Sequence, residues 1–186
     1  MSSVRWPAEW EPHAATWIAW PHHEPDWPGK FAPIPWVYAE IVRALHPHER
    51  VEILCHDDAA RARATEILGA HAVDLGRVGL HLVPTDRVWT RDSGPTGVLQ
   101  DGALRWVAWR FNAWAKYDDH GHDEHVAAAI AKLSGVSAVE ATRGDGARIV
   151  LEGGGVETDG KGSRKPAERS GHGCLRGFMG RPPPAR

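Results

Sequence analysis

"RVEILCHDDAARARATEILGAHAVDLGRVGLHLVP", residues 50–84, decides the fold class. Its opening, Arg50 to His56, is an aliphatic run broken by one carboxylate and reads as a strand. Asp57 then stands where a helix needs a side-chain oxygen for its first free amides. Ala60, Ala64, Ile67 and Leu68 recur at helical spacing behind it, and Gly69 is expected to end that helix. "VGLHLVP" at 78–84 returns to a strand pattern.

Outward from this stretch the alternation continues. Upstream, "PWVYAEIVRALHP" places Tyr38, Ile41, Val42 and Leu45 on one helical face between Pro35 and Pro47. Before it, "HAATWIAW" at 13–20 reads as a strand in a Pro- and Trp-rich segment. Downstream, "TGVLQDGALRWVAWRF" at 96–111 is a hairpin, because Asp101-Gly102 suits a two-residue turn whose residues both need positive φ. A third helix is expected over about 123–133 with Val126, Ala129, Ile130 and Leu133 inward, closed by Gly135. "VSAVEA" and "ARIVLEGGGVETDGKG" follow as strands with a Gly-rich turn. This order predicts an α/β protein built from repeated ββαβ-like units rather than a plain doubly wound sheet.

Composition narrows the class. The chain of 186 residues suffices for one domain, and its net charge of −2 gives no reason to expect nucleic acid or an anionic membrane as partner. No run of apolar residues reaches membrane-spanning length, and two cysteines, Cys55 and Cys174, make no disulfide framework. A cytoplasmic protein is expected. Residues 1–162 read as the domain. Residues 163–186 read as a basic tail, with five Arg and one Lys against one Glu and no periodic apolar face. All ten tryptophans lie at or before Trp114, which suggests an aromatic-lined hollow in the first two-thirds of the chain.

Three motifs near expected strand ends carry candidate chemistry. They are Arg91-Asp92-Ser93-Gly94-Pro95, Phe111-Asn112-Ala113-Trp114 and Glu152-Gly153-Gly154. Glycine beside a carboxylate lets backbone or ligand approach without a Cβ in the way. Two carboxylates, Asp92 and Glu152, converging beside tryptophan suit a planar cation, gripped at its edge and covered on its face. For each motif alone an ordinary Asp turn or Gly-rich bulge is an equal reading. The clusters His22-His23-Glu24 and His120, His122, Asp123, His125 have zinc-ligand chemistry but no matching partner cluster, so no metal is expected. The Gly-rich stretch lacks phosphate-loop spacing, so no nucleotide or other cofactor is expected.

Taken together and in order, "PAEWEPHAATWIAWPH" (7–22), "WPGKFAPIPWVYAEIVRAL" (27–45), "VWTRDSGPT" (88–96), "FNAWAKYDDH" (111–120) and "LEGGGVETDGKG" (151–162) resemble the agmatine deiminase family, which includes bacterial-type peptidylarginine deiminases. The resemblance covers about residues 5–162. It implies the pentein fold, a propeller of five ββαβ units, present here as a partial propeller. It also implies hydrolysis of a guanidinium C–N bond, turning agmatine and water into N-carbamoylputrescine and ammonia, by a Cys nucleophile and a proton-shuttling His. By resemblance Asp92 clamps the guanidinium, Glu152 is the acidic partner of the catalytic His, Trp89 lies along the substrate chain, and Glu11 is a candidate for its amine end. Arginine or peptidyl-arginine as substrate, and a non-catalytic guanidinium-binding fragment, are the alternatives. A homo-oligomer is left open. Members are roughly twice this long, with nucleophile and His motif in the half beyond Gly162. His172 and Cys174 fit neither motif, so the chain is expected to be truncated and inactive alone. Cys55, at a strand end, reads as core.

Overall fold

The computed structural model describes residues 3–161 and the strand 164–166. Thirteen elements follow one another in these residues: β1 (Val4–Arg5), β2 (Ala15–Ala19), α1 (Ile34–Leu45), β3 (Arg50–Cys55), α2 (Asp58–Ala70), β4 (Val78–Leu82), α3 (Thr90–Ser93), β5 (Thr96–Gln100), β6 (Ala103–Ala108), α4 (Val126–Ser134), β7 (Ala138–Glu140), β8 (Val156–Thr158) and β9 (Arg164–Pro166). The fold is mixed α/β, as the alternation predicts, with three separate sheets among the described residues. A closed propeller is not among them. Nor is any helix long and apolar enough to cross a membrane. The region 163–186, expected as a tail, lies outside the described residues apart from β9, and His172 and Cys174 lie there with it.

The first sheet is parallel, in the order β2-β3-β4, with Thr16 opposite Val51 and Val51 opposite Val78. Parallel neighbours need crossovers, and α1 and α2 supply them. One face of β3 presents Val51, Ile53 and Cys55 to Ala39, Val42, Ala64 and Leu68 of the two helices, with Trp20 in the same cluster. The other face buries Leu54 and Ala19 against Val88, Val126 and Ile130. Burial on both sides fits the apolar residues that crowd Val51–Cys55 around the single carboxylate Glu52. Cys55 belongs to this core, and burial pushes its thiol up to about 11.

Two helix details differ from the sequence reading. The inward face of α1 is centred on Pro35, Ala39 and Val42, which leaves Ile41 exposed beside Trp36 and Val37. Asp57 caps α2 as expected, accepting from the Ala60 amide at 2.7 Å, but the helix runs through Gly69. It ends where Ala72 takes a φ of 55°.

The second sheet has the order β1-β5-β6-β7. Asp101 and Gly102, at φ of 51° and 83°, make the expected hairpin turn between β5 and β6. Then α4, closed by Gly135 at φ 68°, carries the chain back to β7, parallel to β6. Only two residues long, β1 carries no period and escapes sequence reading. Of the strands expected over 147–162, Val156–Thr158 forms β8, whereas residues 148 and 150 make only isolated bridges, Thr142 to Arg148 and Arg110 to Val150, with Ile149 packed on Val107 and Ala141. Leu133, expected inward, is 42 % exposed.

Candidate functional site

The chain leaves β4 and buries Thr85, Arg87 and Val88 before reaching the Trp89–Pro95 motif. Here the structure holds a single helical turn, α3, where the sequence suggests only a bend. The amides of Asp92 and Ser93 donate to the Trp89 carbonyl and that of Gly94 to Thr90. Thr90 Oγ1 ties the turn to β2 through the Trp17 carbonyl at 3.2 Å. Pro95 stops it, having no amide to extend the ladder.

Arg91 and Asp92 do not form the local ion pair that their adjacency suggests. Arg91 reaches away to the Glu9 carboxylate and the carbonyls of Gly153 and Val156. Asp92 accepts through Oδ1 from the Gly154 amide at 2.8 Å. The α3 turn is thereby sewn to the Glu152–Gly155 turn, 62 residues later. Two of the glycines exist for this closeness. A Cβ on Gly153 would collide with the Arg91 carbonyl, and one on Gly154 would lie 2.5 Å from Asp92 Oδ1. Asp92 and Glu152, both half-buried, are thus brought into one neighbourhood. Among the described residues neither Asp92 Oδ2 nor the Glu152 carboxylate has a hydrogen-bond partner, so both remain acceptors for a donor from outside.

Three residues before Asp92, Trp89 is 47 % exposed and lines a hollow of about 560 Å³. Trp114 and Tyr117 supply further aromatic walls, and Asp26, Arg87 and Lys116 the charges. The sequence reading quoted Trp114 but gave it no role. It stands on three consecutive residues, Ala113, Trp114 and Ala115, with φ of 48°, 59° and 52°. Each such non-glycine residue costs on the order of 1–2 kcal/mol. Asn112 holds the turn by accepting from the Ala115 amide at 3.3 Å, and Phe111 and Tyr117 meet the Trp114 ring edge-on. Strain kept next to a hollow marks Trp114 as a wall residue.

Glu11 lies elsewhere. Its Oε1 accepts from Arg5 at 2.6 Å and the Ala8 amide at 2.8 Å, and these two contacts hold its carboxyl below its ordinary value. The structure engages it in the N-terminal corner beside Gly160, and neither it nor Asp92 nor Glu152 is among the residues that line the hollow. Of the histidines, His22 stacks on His56 at 4.5 Å, His122 meets His56 edge-on, and His120 pairs with Glu124. Among the described residues no group of three His, Cys, Asp or Glu is arranged to hold a metal ion.

A buried carboxylate joins α4 to the loop that carries Trp89. Asp123 accepts from the Asp86 amide at 2.9 Å and the Arg87 amide at 3.2 Å, while Asp86 accepts in return from the amides of His122 and Asp123. Burial raises the Asp123 carboxyl from 3.8 to about 6; those amides pull it back, and the neighbouring Asp86 charge pushes it up. The folded chain therefore binds this proton more tightly than the unfolded chain. The associated stability is present below the unfolded value and lost as pH rises through about 6. Asp123→Asn, which cannot ionise, is expected to gain about 2 kcal/mol on the unsubstituted chain from acid to neutral pH. Burial depresses His22 in the opposite sense, but His22 titrates in both chains, so the difference isolates Asp123. Urea unfolding of both across that range measures it, and a pH-independent difference would contradict the raised value.

The described residues thus form a mixed α/β fold in which two carboxylate-bearing turns meet three residues after a tryptophan that lines a hollow. Residues 5–165 match the Porphyromonas-type peptidyl-arginine deiminase family, and the chain belongs to it. It is 35 % identical over 164 residues to the agmatine deiminase of Stutzerimonas stutzeri, covering 84 % of this chain and 41 % of that protein. It is 32 % identical over 168 residues to the agmatine deiminase of Pseudomonas aeruginosa, covering 86 % and 42 %. Among solved structures, Enterococcus faecalis agmatine deiminase superposes with a TM-score of 0.72 at 24 % identity, over 87 % of this chain and 42 % of that one. The C315S agmatine deiminase of C. jejuni, with substrate bound, gives 0.71 at 20 %, over 88 % and 45 %. The chain therefore spans less than half the length of these relatives.

Proposed function

We propose that this chain carries the substrate-gripping part of an agmatine deiminase-type hydrolase. The observation that carries this reading is the joining of the Asp92 turn to the Glu152 turn, in the same loop as Trp89, which lines the hollow although neither carboxylate does. A guanidinium presents paired N–H donors in a plane, and Asp92 Oδ2 with the Glu152 carboxylate presents acceptors to match. Trp89 and Trp114 offer flat apolar walls to the four-carbon chain of agmatine. In the hydrolysis a thiolate adds to the central guanidinium carbon and ammonia leaves. Water then cleaves the thiouronium and frees the ureido product, N-carbamoylputrescine. Cys55 is no candidate for that nucleophile, because burial holds it as a neutral thiol in the core. On this reading Glu152 orients the proton-shuttling His, and the β2-β3-β4 and β5-β6-β7 units belong to a pentein propeller. Residues 1–162 are its domain, in a cytoplasmic protein.

Calorimetric titration of the chain with agmatine, free arginine and a peptidyl-arginine tests the grip, with ammonia release followed in parallel. Agmatine is expected to bind more tightly than free arginine, whose carboxylate it lacks. Preference for the peptide would assign the site to peptidyl-arginine, and no binding of any guanidine would remove the proposal.

A further inference from the structure

We infer that Arg87 is a positioning residue that sets the separation of the two tryptophan walls; its consequence for substrate rests on the guanidine reading of the site. Arg87 is 5 % exposed, and its side chain touches the segments around the hollow from within. Nη1 donates to the Asp119 carbonyl at 2.9 Å, and Nη2 to both Asp119 carboxylate oxygens at 3.0 and 3.2 Å. Nε lies 3.4 Å from Asp26 Oδ1, on the turn that follows β2. The guanidinium carbon sits 4.2 Å above the Tyr117 ring. Its own amide is held by Asp123. One side chain thus links three segments: the Asp26 turn, the stretch that leads into Trp89, and the 113–119 loop that carries Trp114.

The alternative role, direct contact with ligand, does not match this geometry. Both terminal nitrogens are spent on Asp119, and Nε faces Asp26. Burial alone would lower the Arg87 pKa, yet the Asp119 hydrogen bonds and the charges of Asp119, Asp26 and Asp123 raise it, so the cation is permanent. The planar fork matters as well as the charge. Only a guanidinium satisfies a carbonyl and a carboxylate on one loop while its carbon stands over a tyrosine ring of the same loop. The left-handed turn under Trp114 costs energy, and Arg87 is the clamp that keeps it closed.

The test compares the full chain with Arg87→Lys and with Asp119→Asn, a surface change that removes the partner charge without touching the core. Amide hydrogen exchange, read without ligand, is expected to rise about tenfold in the Asp26 turn and in 113–119, and to stay unchanged in β3 and β4. Exchange that rises throughout the chain, or nowhere, overturns the inference. Agmatine affinity is expected to fall about tenfold in Arg87→Lys. Trp114→Ala should then cost little more in that background than Arg87→Lys alone, because both remove the same wall. Fully additive losses would mean that Arg87 acts on ligand independently of Trp114, and would also overturn the inference. If agmatine binds to no chain, the exchange pattern still decides the role of Arg87, and the guanidine reading falls by itself.

Discussion

Replacing Asp92 with alanine is expected to weaken agmatine binding by about a hundredfold or more. A carboxylate hydrogen-bonded to a cation is worth about 1.5–3 kcal/mol, and its removal also strands the other partner. Alanine has a second effect, because the Gly154 amide loses its acceptor and the Glu152 turn loses its tie to α3. Asp92→Asn separates the two. Its side-chain oxygen can still accept from Gly154, so the fold should melt as the unsubstituted chain does, while the charge that grips a guanidinium is gone. Calorimetry with agmatine and a thermal melt, run on both variants, measure the pair of effects. An asparagine variant that binds agmatine undiminished would show that Asp92 only anchors the turn.

The largest effect on stability is expected at Trp20. It is 1 % exposed, packed with Val42, Ile53 and Leu68, and its amide donates to the Leu54 carbonyl at 2.8 Å. Trp20→Ala should cost about 3–5 kcal/mol, a large part of the roughly 5–15 kcal/mol that holds a domain of this size together. Trp20→Phe should cost far less. Among the described residues the buried Trp20 indole nitrogen has no hydrogen-bond partner, so phenylalanine discards a polar group that makes no bond there. Urea midpoints for the two variants give the comparison, and equal losses would show that the whole ring system, not its apolar bulk, is needed.

Legibility in the sequence follows the physics of each part. The β3-α2-β4 unit was readable because local rules agree there: an apolar run, the Asp57 cap, helical spacing, then a second run. The hairpin was readable because Asp101-Gly102 satisfies a strict φ requirement. Ile41 was misplaced because α1 has apolar residues on more than one side, and period alone does not choose between them. Residues 148–150 were misread as a strand because they make only single bridges while Ile149 fills a core. The Asp92 and Glu152 motifs stood out because glycine and proline stand beside a carboxylate in sequence, whereas Trp89 was named only through the family resemblance. The roles of Arg87 and Asp123 could not be read, since their partners stand 32 and 36 residues away in the chain.

The stitch between the α3 turn and the Glu152 turn has a consequence for the order of folding. The β2-β3-β4 unit closes over short crossovers, whereas the Asp92–Gly154 bond spans 62 residues and the Thr158–Trp6 bond spans 152. Loop closure over such separations costs entropy that is recovered only when both sheets already exist. The Asp92 and Glu152 turns are therefore expected to come together last on the way in. For the same reason they are expected to part first on the way out, so that, on the proposed function, heat or denaturant disarms the grip on substrate before it melts the body that supports it.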